Sequence, residues 1–397
     1  MKMNTRDNNA RVSTFGRARF LGLAGLLSVF TCATQVSAAE DDGIKVYGNL
    51  DTGIEHLTNA ASGGDAVTRI PGITGTMASR IGFKAGKDIG DGYSVFATME
   101  LGVSPDDGSL RQGGRIFGRQ LNFGMNTPAG RFTIGRQYSP FLFATGDLMG
   151  PNIYALGSLD AYLPNARMDN SISWSKKLGG SLSAAVAYSF GRDTTGAVPL
   201  SGTCGGEEGA PPSAVDSSAC KQVAATLKYK GDGFSLALGI DKQNGGAGAT
   251  AYFFNGIGVP GIDMSDSGDT DTRTTVSGSF NLGDAIIGLG VLKRKLDTVA
   301  TTVESDTVYV SGKYKVSPKT TINAGVYSIT NDDQDTDATL VVLRALYNLD
   351  KGVDWYAQVG NISNSDNARY GLSPGANTAP PTGESQTGVM VGFRYIY

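Results

Sequence analysis

The stretch that decides the fold is the carboxyl-terminal end of the chain, residues 387–397, TGVMVGFRYIY. Its large apolar side chains recur at every second position: Val389, Val391, Phe393, Tyr395 and Tyr397. The intervening positions are Gly388, Met390, Gly392, Arg394 and Ile396. Such alternation predicts a β-strand that turns one face to an apolar environment and the other face to a different one.

The same alternation occurs along the whole chain. In residues 181–190, large apolar residues alternate with serine and alanine, and in 233–241 they alternate with serine, alanine, glycine and aspartate. Very short turns and long polar loops connect these segments in alternation. The seven predicted turns are Asp88–Gly92, Asn126–Gly130, Leu178–Gly180, Gly231–Gly233, Gly283–Asp284, Ser317–Pro318 and Asp350–Gly352. The eight predicted loops are 59–75, 105–114, 139–166, 194–220, 245–271, 298–305, 332–337 and 364–385.

Fifteen connections of two kinds predict sixteen antiparallel strands. An even strand number, with short turns at one end and long loops at the other, is typical of outer-membrane β-barrels. Backbone groups in a bilayer have no water to bind, so the last strand is expected to pair with the first, near Ile44–Leu57. A soluble β-sandwich has the same local pattern. The tyrosines and tryptophans near strand ends and the Ser, Thr, Gly, Lys and Arg opposite the apolar faces favour the membrane barrel.

The first 39 residues read as a signal peptide. Four arginines precede an apolar segment, Phe20–Phe30, and small residues follow it, with cleavage expected after Ala38 or Ala39. A short membrane anchor is the alternative reading. Residues 40–397 then form one barrel domain. No later segment reaches the 18 consecutive apolar residues of a transmembrane helix, which argues against a helical membrane protein.

Composition excludes several classes of function. The net charge of −3 gives no reason to expect a nucleic-acid partner. His56 is the one histidine, so histidine-based catalysis and an imidazole metal site are not expected, and no cofactor is predicted. Cys204 and Cys220 flank a segment rich in Gly, Pro and Ser, and an exported protein can keep a disulfide there. Two free thiols are the alternative.

Five motifs resemble the Gram-negative general porins, most closely the β-proteobacterial and neisserial type. They are Val46–Gly53, Ser79–Lys84, Phe117–Gln120, Ile134–Tyr138 and Arg167–Ile172, joined by the closing Val391–Arg394. The resemblance implies a sixteen-stranded homotrimeric barrel whose third loop, 139–166, folds inward and narrows the lumen. It also implies an arginine cluster on the wall, carried here by Arg80, Arg119, Arg136 and Arg167, facing the loop acids Asp147 and Asp160.

The alternation test directs both Arg80 and Arg167 into the lumen, with Lys84 on the same face as Arg80. By the same test, Arg119 falls on the face of the apolar Leu121 and Arg136 on the face of the apolar Ile134. Either a bulge shifts the register there, or those apolar residues pack against the inserted loop. The sequence also departs from the family: the acidic Pro-Glu-Phe-Gly stretch of the third loop is absent, and the last residue is Tyr rather than Phe.

The expected function is passive diffusion of small hydrophilic solutes and ions across the outer membrane of a Gram-negative bacterium, with a weak anion preference. A sixteen-stranded barrel leaves an aqueous channel, and charges facing each other across it orient and filter solutes. Outer-membrane lipids and lipopolysaccharide are the expected surroundings. A substrate-specific channel and a surface adhesin or receptor remain alternatives, and an enzyme is not expected.

Overall fold

A computed structural model describes residues 42–61, 63–73, 77–146, 154, 166–192, 218–252, 254, 256, 261–373 and 378–397. The predicted signal peptide and three predicted site residues, Asp147, Asp160 and Cys204, lie outside the described residues. In the described part, no helix has the length and apolar character needed to span a bilayer.

The part of the chain that the structure describes forms sixteen long strands and four short elements. The long strands are β1 Gly43–Ala60, β3 Arg80–Gly90, β4 Tyr93–Gly102, β5 Gln120–Thr127, β6 Gly130–Tyr138, β7 Arg167–Gly179, β8 Leu182–Ser189, β9 Gln222–Lys230, β10 Phe234–Asn244, β13 Thr270–Leu282, β14 Ala285–Asp297, β15 Thr302–Lys315, β16 Thr320–Thr330, β17 Ala338–Asp350, β18 Val353–Asn364 and β19 Gln386–Ile396. The short elements are β2 Asp65–Arg69, β11 Thr250–Ala251, β12 Ile262–Asp263 and the helix α1 Pro140–Gly146.

The long strands close into one antiparallel barrel, as predicted. Each pairs with its neighbours along the chain, and β19 pairs with β1 from Asn49 opposite Ile396 to Leu57 opposite Gly388. All seven predicted turns join consecutive strands at one end of the barrel, called here the turn end. The eight loops join strands at the other end, the loop end. The loop predicted over 298–305 is shorter, because β15 already begins at Thr302.

The two faces of the sheet differ in chemistry. Leu121, Leu236 and Val391 are about half exposed on the outer face. Arg273 and Thr275, by contrast, are buried at inward positions. A bilayer solvates the apolar face, and the closed ring gives every strand two hydrogen-bonded neighbours, so no sheet edge meets lipid.

Several glycines allow an aromatic ring to lie flat against the sheet. The Tyr397 ring occupies the space that a Cβ at Gly48 would need, and the Tyr47 ring does the same over Gly82. The Tyr397 backbone also exchanges two hydrogen bonds with Gly48, of 3.1 and 3.2 Å. Rings that cover glycines in this way protect the backbone and fix the strand register. This explains part of the high glycine content of the chain, 56 of 397 residues.

Described residues of the third and last loops lie inside the barrel. The third loop begins with α1, which packs against β9, β10 and β13, and Ser277 donates a hydrogen bond to the Ala144 carbonyl, 2.9 Å. Further along this loop, Tyr154 joins an apolar cluster with Leu372 of the last loop. Phe141 of α1 and inward residues of β1 and β14–β18 complete the cluster, among them Leu57 and Tyr327. The inward course predicted for the third loop is therefore present, and the last loop fills part of the lumen as well.

Cys220 is disulfide-bonded, and its predicted partner Cys204 lies outside the described residues, so the pairing stays a prediction. We expect that maleimide modifies neither cysteine of the mature protein until a reductant is added, and that peptide mapping finds residues 204 and 220 in one cross-linked fragment. Closing a loop of this length stabilises a chain by about 3 kcal/mol in the entropy model. Modification of both thiols without reductant would contradict the pairing.

Candidate functional site

Glu100 is the centre of a buried polar group on the inner wall. It lies near the loop end of β4, and its carboxylate accepts hydrogen bonds from Arg119 Nε at 2.7 Å and Tyr47 Oη at 2.8 Å. The Tyr138 hydroxyl lies 3.0 Å from the same carboxylate, and Arg80 Nε lies 3.9 Å away. Two guanidinium groups thus share one buried carboxylate, and hydrogen bonds to charged partners are the stronger ones in such networks.

Asp169 holds the second pair of arginines. Arg136 Nη1 donates to its carboxylate and Arg115 Nη1 lies 3.4 Å away, while Arg136 Nε donates to the Gly118 carbonyl at 2.8 Å. Asp169 is close to the start of β7, next to the loop end of β6. This position brings the second pair beside the Glu100 group.

Arg167 differs from the other four arginines. Its guanidinium lies over the Tyr138 ring, 5.0 Å from the centroid, and it forms no ion pair with the described residues. Its Nε is buried and lacks a hydrogen-bond partner in that same set. A cation over an aromatic face retains its charge. We call Arg80, Arg115, Arg119, Arg136 and Arg167 the arginine cluster.

Lys84 lies near the middle of β3, four residues from Arg80 and opposite Lys45 of β1. Its Nζ is 5.1 Å from the centroid of the Tyr47 ring. Tyr47 therefore connects Lys84 to Glu100 through one side chain, so the predicted lysine is a neighbour of the arginine cluster.

Local irregularities bring Arg119 and Arg136 to these carboxylates. The β6–β7 pairing shifts register between Gly135 and Gln137, and Asn170 in β7 has a left-handed φ of 44°. This is a bulge in β7, where three steps from Met168 to Ser171 match two steps in β6, and it directs Asp169, the partner of Arg136. Arg119 precedes the first residue of β5, so strand parity does not govern its direction.

Sequence reasoning missed the acids that organise this site. Glu100 shares the inward parity of Thr98 in β4, and the alternation test that singled out Arg80 would also have found it. Arg115 lies in the loop before β5, where no period constrains a side chain. The loop residue Arg111 lies close to the cluster, and burial lowers its pKa while Asp106 and Asp107 oppose that change.

The cluster is rich in positive charge. Five guanidinium groups surround two carboxylates, Glu100 and Asp169, in the part of the wall that the structure describes. Low-dielectric walls strengthen such a field and raise the local concentration of ions of the opposite sign. The site can therefore attract and orient anions, and its described residues offer no nucleophile paired with a base.

Comparison with known proteins agrees with this architecture. The family model described as Gram-negative porin matches residues 24–367. The chain is 23% identical over 387 residues to outer membrane porin protein 32 of Delftia acidovorans, covering 94% of this chain and 99% of the relative. It is 27% identical over 183 residues to an outer membrane porin protein of Bordetella pertussis, covering 42% and 46%.

Solved structures share the fold. The chain is similar to an anion-selective porin from Comamonas acidovorans with a TM-score of 0.71 and 18% identity, covering 90% of this chain and all of the other. It is also similar to the trimer form of OmpT of Vibrio cholerae, with a TM-score of 0.62, 19% identity and coverage of 90% and 100%. The family match spans most of the chain and agrees with the closed barrel and its polar interior, so the protein belongs to the Gram-negative porins and is a channel of the outer membrane.

Proposed function

We propose that this porin carries small hydrophilic solutes and ions by passive diffusion and prefers anions. The observation that carries the proposal is the arginine cluster, in which five cations surround two acids. Ion selectivity in pores follows from such fixed charges at a narrow place. The similar Comamonas acidovorans porin is named anion-selective, which supports the same preference here.

The pore is narrower than the strand number alone implies. A sixteen-stranded barrel leaves an aqueous channel, but α1 and Tyr154 of the third loop and Leu372 of the last loop pack inside it. Water and solutes then pass beside the arginine cluster rather than through the apolar cluster. We propose that this passage is the constriction, with Asp147 and Asp160 of the third loop near it.

We further propose that the protein is exported with cleavage of residues 1–39 and assembles as a homotrimer in contact with outer-membrane lipids and lipopolysaccharide. The similar OmpT structure of Vibrio cholerae is the trimer form of that protein. Exposed aromatic residues on the outer face, such as Trp355 and Tyr347, suit the membrane interface. Channel activity does not require an enzymatic reaction, and we propose none.

Reversal potentials in planar bilayers test the anion preference. In a potassium chloride gradient, we expect the sign of the reversal potential to show that chloride is more permeant than potassium. Arg167→Gln removes a cation that forms no ion pair with the described carboxylates, so we expect it to lower the chloride-to-potassium permeability ratio about twofold. Lys293→Gln removes the same charge from the outer face of β14 and is expected to leave the ratio unchanged. Cation preference of the unmodified protein would overturn the proposal.

A further inference from the structure

A second set of cations lines the lumen away from the arginine cluster. It comprises Lys228, Lys230, Lys313, Lys315, Arg344 and Arg394, named here the turn-end cations. Each shares the inward parity of buried residues on its own strand, and each lies at mid-strand or nearer the turn end of β9, β15, β17 or β19. The arginine cluster instead lies near the loop ends of β3–β7.

The two sets occupy complementary halves of the barrel. Going from β9 through β10 and β13–β18 to β19 covers eight of the sixteen strand pairings, and β3–β7 lie in the other eight. A solute that passes from the loop end to the turn end therefore meets the arginine cluster first. It meets the turn-end cations next, on the opposite half of the wall.

Side chains within the set are close enough to act together. Lys313 lies opposite Asn323, and Asn323 lies opposite Arg344, so two strand spacings of about 4.8 Å separate the backbones of the two cations. Arg344 donates to Asn323 Oδ1 at 3.0 and 3.3 Å, which directs its guanidinium towards Lys313. An anion beside Asn323 would meet both charges within one Debye length, about 8 Å at physiological ionic strength.

Inward acids compensate part of this charge. Asp354 accepts from Arg394 Nε at 3.1 Å, and the buried Asp51 of β1 lies opposite Arg394 and interacts electrostatically with Arg344. Lys230, Lys313 and Lys315 form no ion pair with any residue that the structure describes. Exposed acids such as Asp350 belong to the turns at the rim, where water screens them.

We propose that the turn-end cations form a second anion station, which binds small multivalent anions such as sulfate, phosphate esters or dicarboxylates. This inference rests on the proposed function, because the anions reach the station through the open channel. A multivalent anion interacts with several cations at once, while chloride interacts with one at a time. Multivalent anions should therefore occupy the lumen long enough to reduce the chloride current.

Sulfate block of the chloride current in single channels at low ionic strength tests this station. The half-blocking sulfate concentration is expected to be lower when sulfate is added on one side of the bilayer than on the other. The double variant Lys230→Gln/Lys313→Gln should raise that lower value roughly fivefold, and Lys313→Glu should raise it at least as much. Both variants should keep the single-channel conductance in 1 M potassium chloride, which shows that the barrel is intact.

The matched control is Lys293→Gln/Lys295→Gln, which removes two charges from the outer face of β14, where both lysines are exposed and paired with Asp306 and Glu304. It should leave the sulfate block unchanged. Equal block in the unmodified protein and in Lys230→Gln/Lys313→Gln would overturn the second station while leaving anion preference intact. Failure of the proposed function would look different, because the reversal potential would then indicate cation preference.

Discussion

Glu100→Gln is expected to lower the free energy of unfolding of the barrel by about 3 kcal/mol, because it leaves a buried cation without its counter-ion. Glu100 and Arg119 are both at most 5% exposed, and their ion pair is 2.7 Å long. The glutamine amide nitrogen also replaces a carboxylate oxygen of Glu100, and those oxygens accept hydrogen bonds from Tyr47, Tyr138 and Arg119. Urea unfolding of the protein in lipid vesicles measures the change. The same variant should increase the preference for chloride, since one negative charge leaves the arginine cluster.

Two further variants show whether the pair itself is responsible. Glu100→Gln/Arg119→Gln removes both charges and should be more stable than Glu100→Gln alone, as a double-mutant cycle would reveal. Glu304→Gln makes the same change at an exposed pair with Lys295, where about 0–1 kcal/mol is expected. Equal losses of stability in Glu100→Gln and Glu304→Gln would show that burial of the Glu100 group has no energetic consequence.

Gly48→Leu should impair closure of the barrel. The side chain would occupy the space of the Tyr397 ring, whose backbone pairs with residue 48 at the seam between β1 and β19. Overpacking of this kind costs about 1–3 kcal/mol, and here it acts on the last pairing of the ring. We expect a smaller fraction of the chain to reach the heat-modifiable folded form on gels, and a lower urea midpoint for the fraction that does.

Gly312→Leu is the matched control, because Gly312 also faces outward but has only the Ile286 carbonyl oxygen, 3.8 Å away, near the position of a Cβ. A leucine there faces lipid and should change stability by at most about 0.5 kcal/mol. Normal folding of Gly48→Leu would mean that the Tyr397 ring moves aside at no cost.

The strand order was predictable from the sequence, since a closed barrel repeats one physical rule sixteen times. The alternation determines which face of the sheet each side chain lies on, and the short turns determine the register of each hairpin. The bilayer core holds no water, so the sheet must close into a barrel. The differences fall at loop ends, where β1 extends to Ala60 and a short strand, β2, pairs with it. Lipid does not constrain strand pairing beyond the membrane at the loop end. Polar residues therefore extend the strands there without an alternating pattern.

The site was only partly predictable. Arg80 follows the strand period, and alternation alone directed it to the lumen. Arg136 does not, because it keeps the parity of the apolar Ile134, and the bulge in β7 that directs Asp169 leaves no mark in the apolar pattern. The resemblance to porins singled out the arginines, but their partners Glu100 and Asp169 come from other strands. Contacts between strands distant in sequence depend on the shape of the closed barrel, and no local pattern encodes them.

The apolar cluster that holds the third and last loops inside the barrel has a consequence for how this protein can evolve. The membrane seal depends on the outer face and on strand pairing, whereas the free cross-section depends on loop residues such as Tyr154 and Leu372. Substitutions in these loops can therefore widen or narrow the passage while the seal stays intact. A bacterium under selection by a toxic solute could change its exclusion limit in a few steps, without a new barrel and without a leaking membrane.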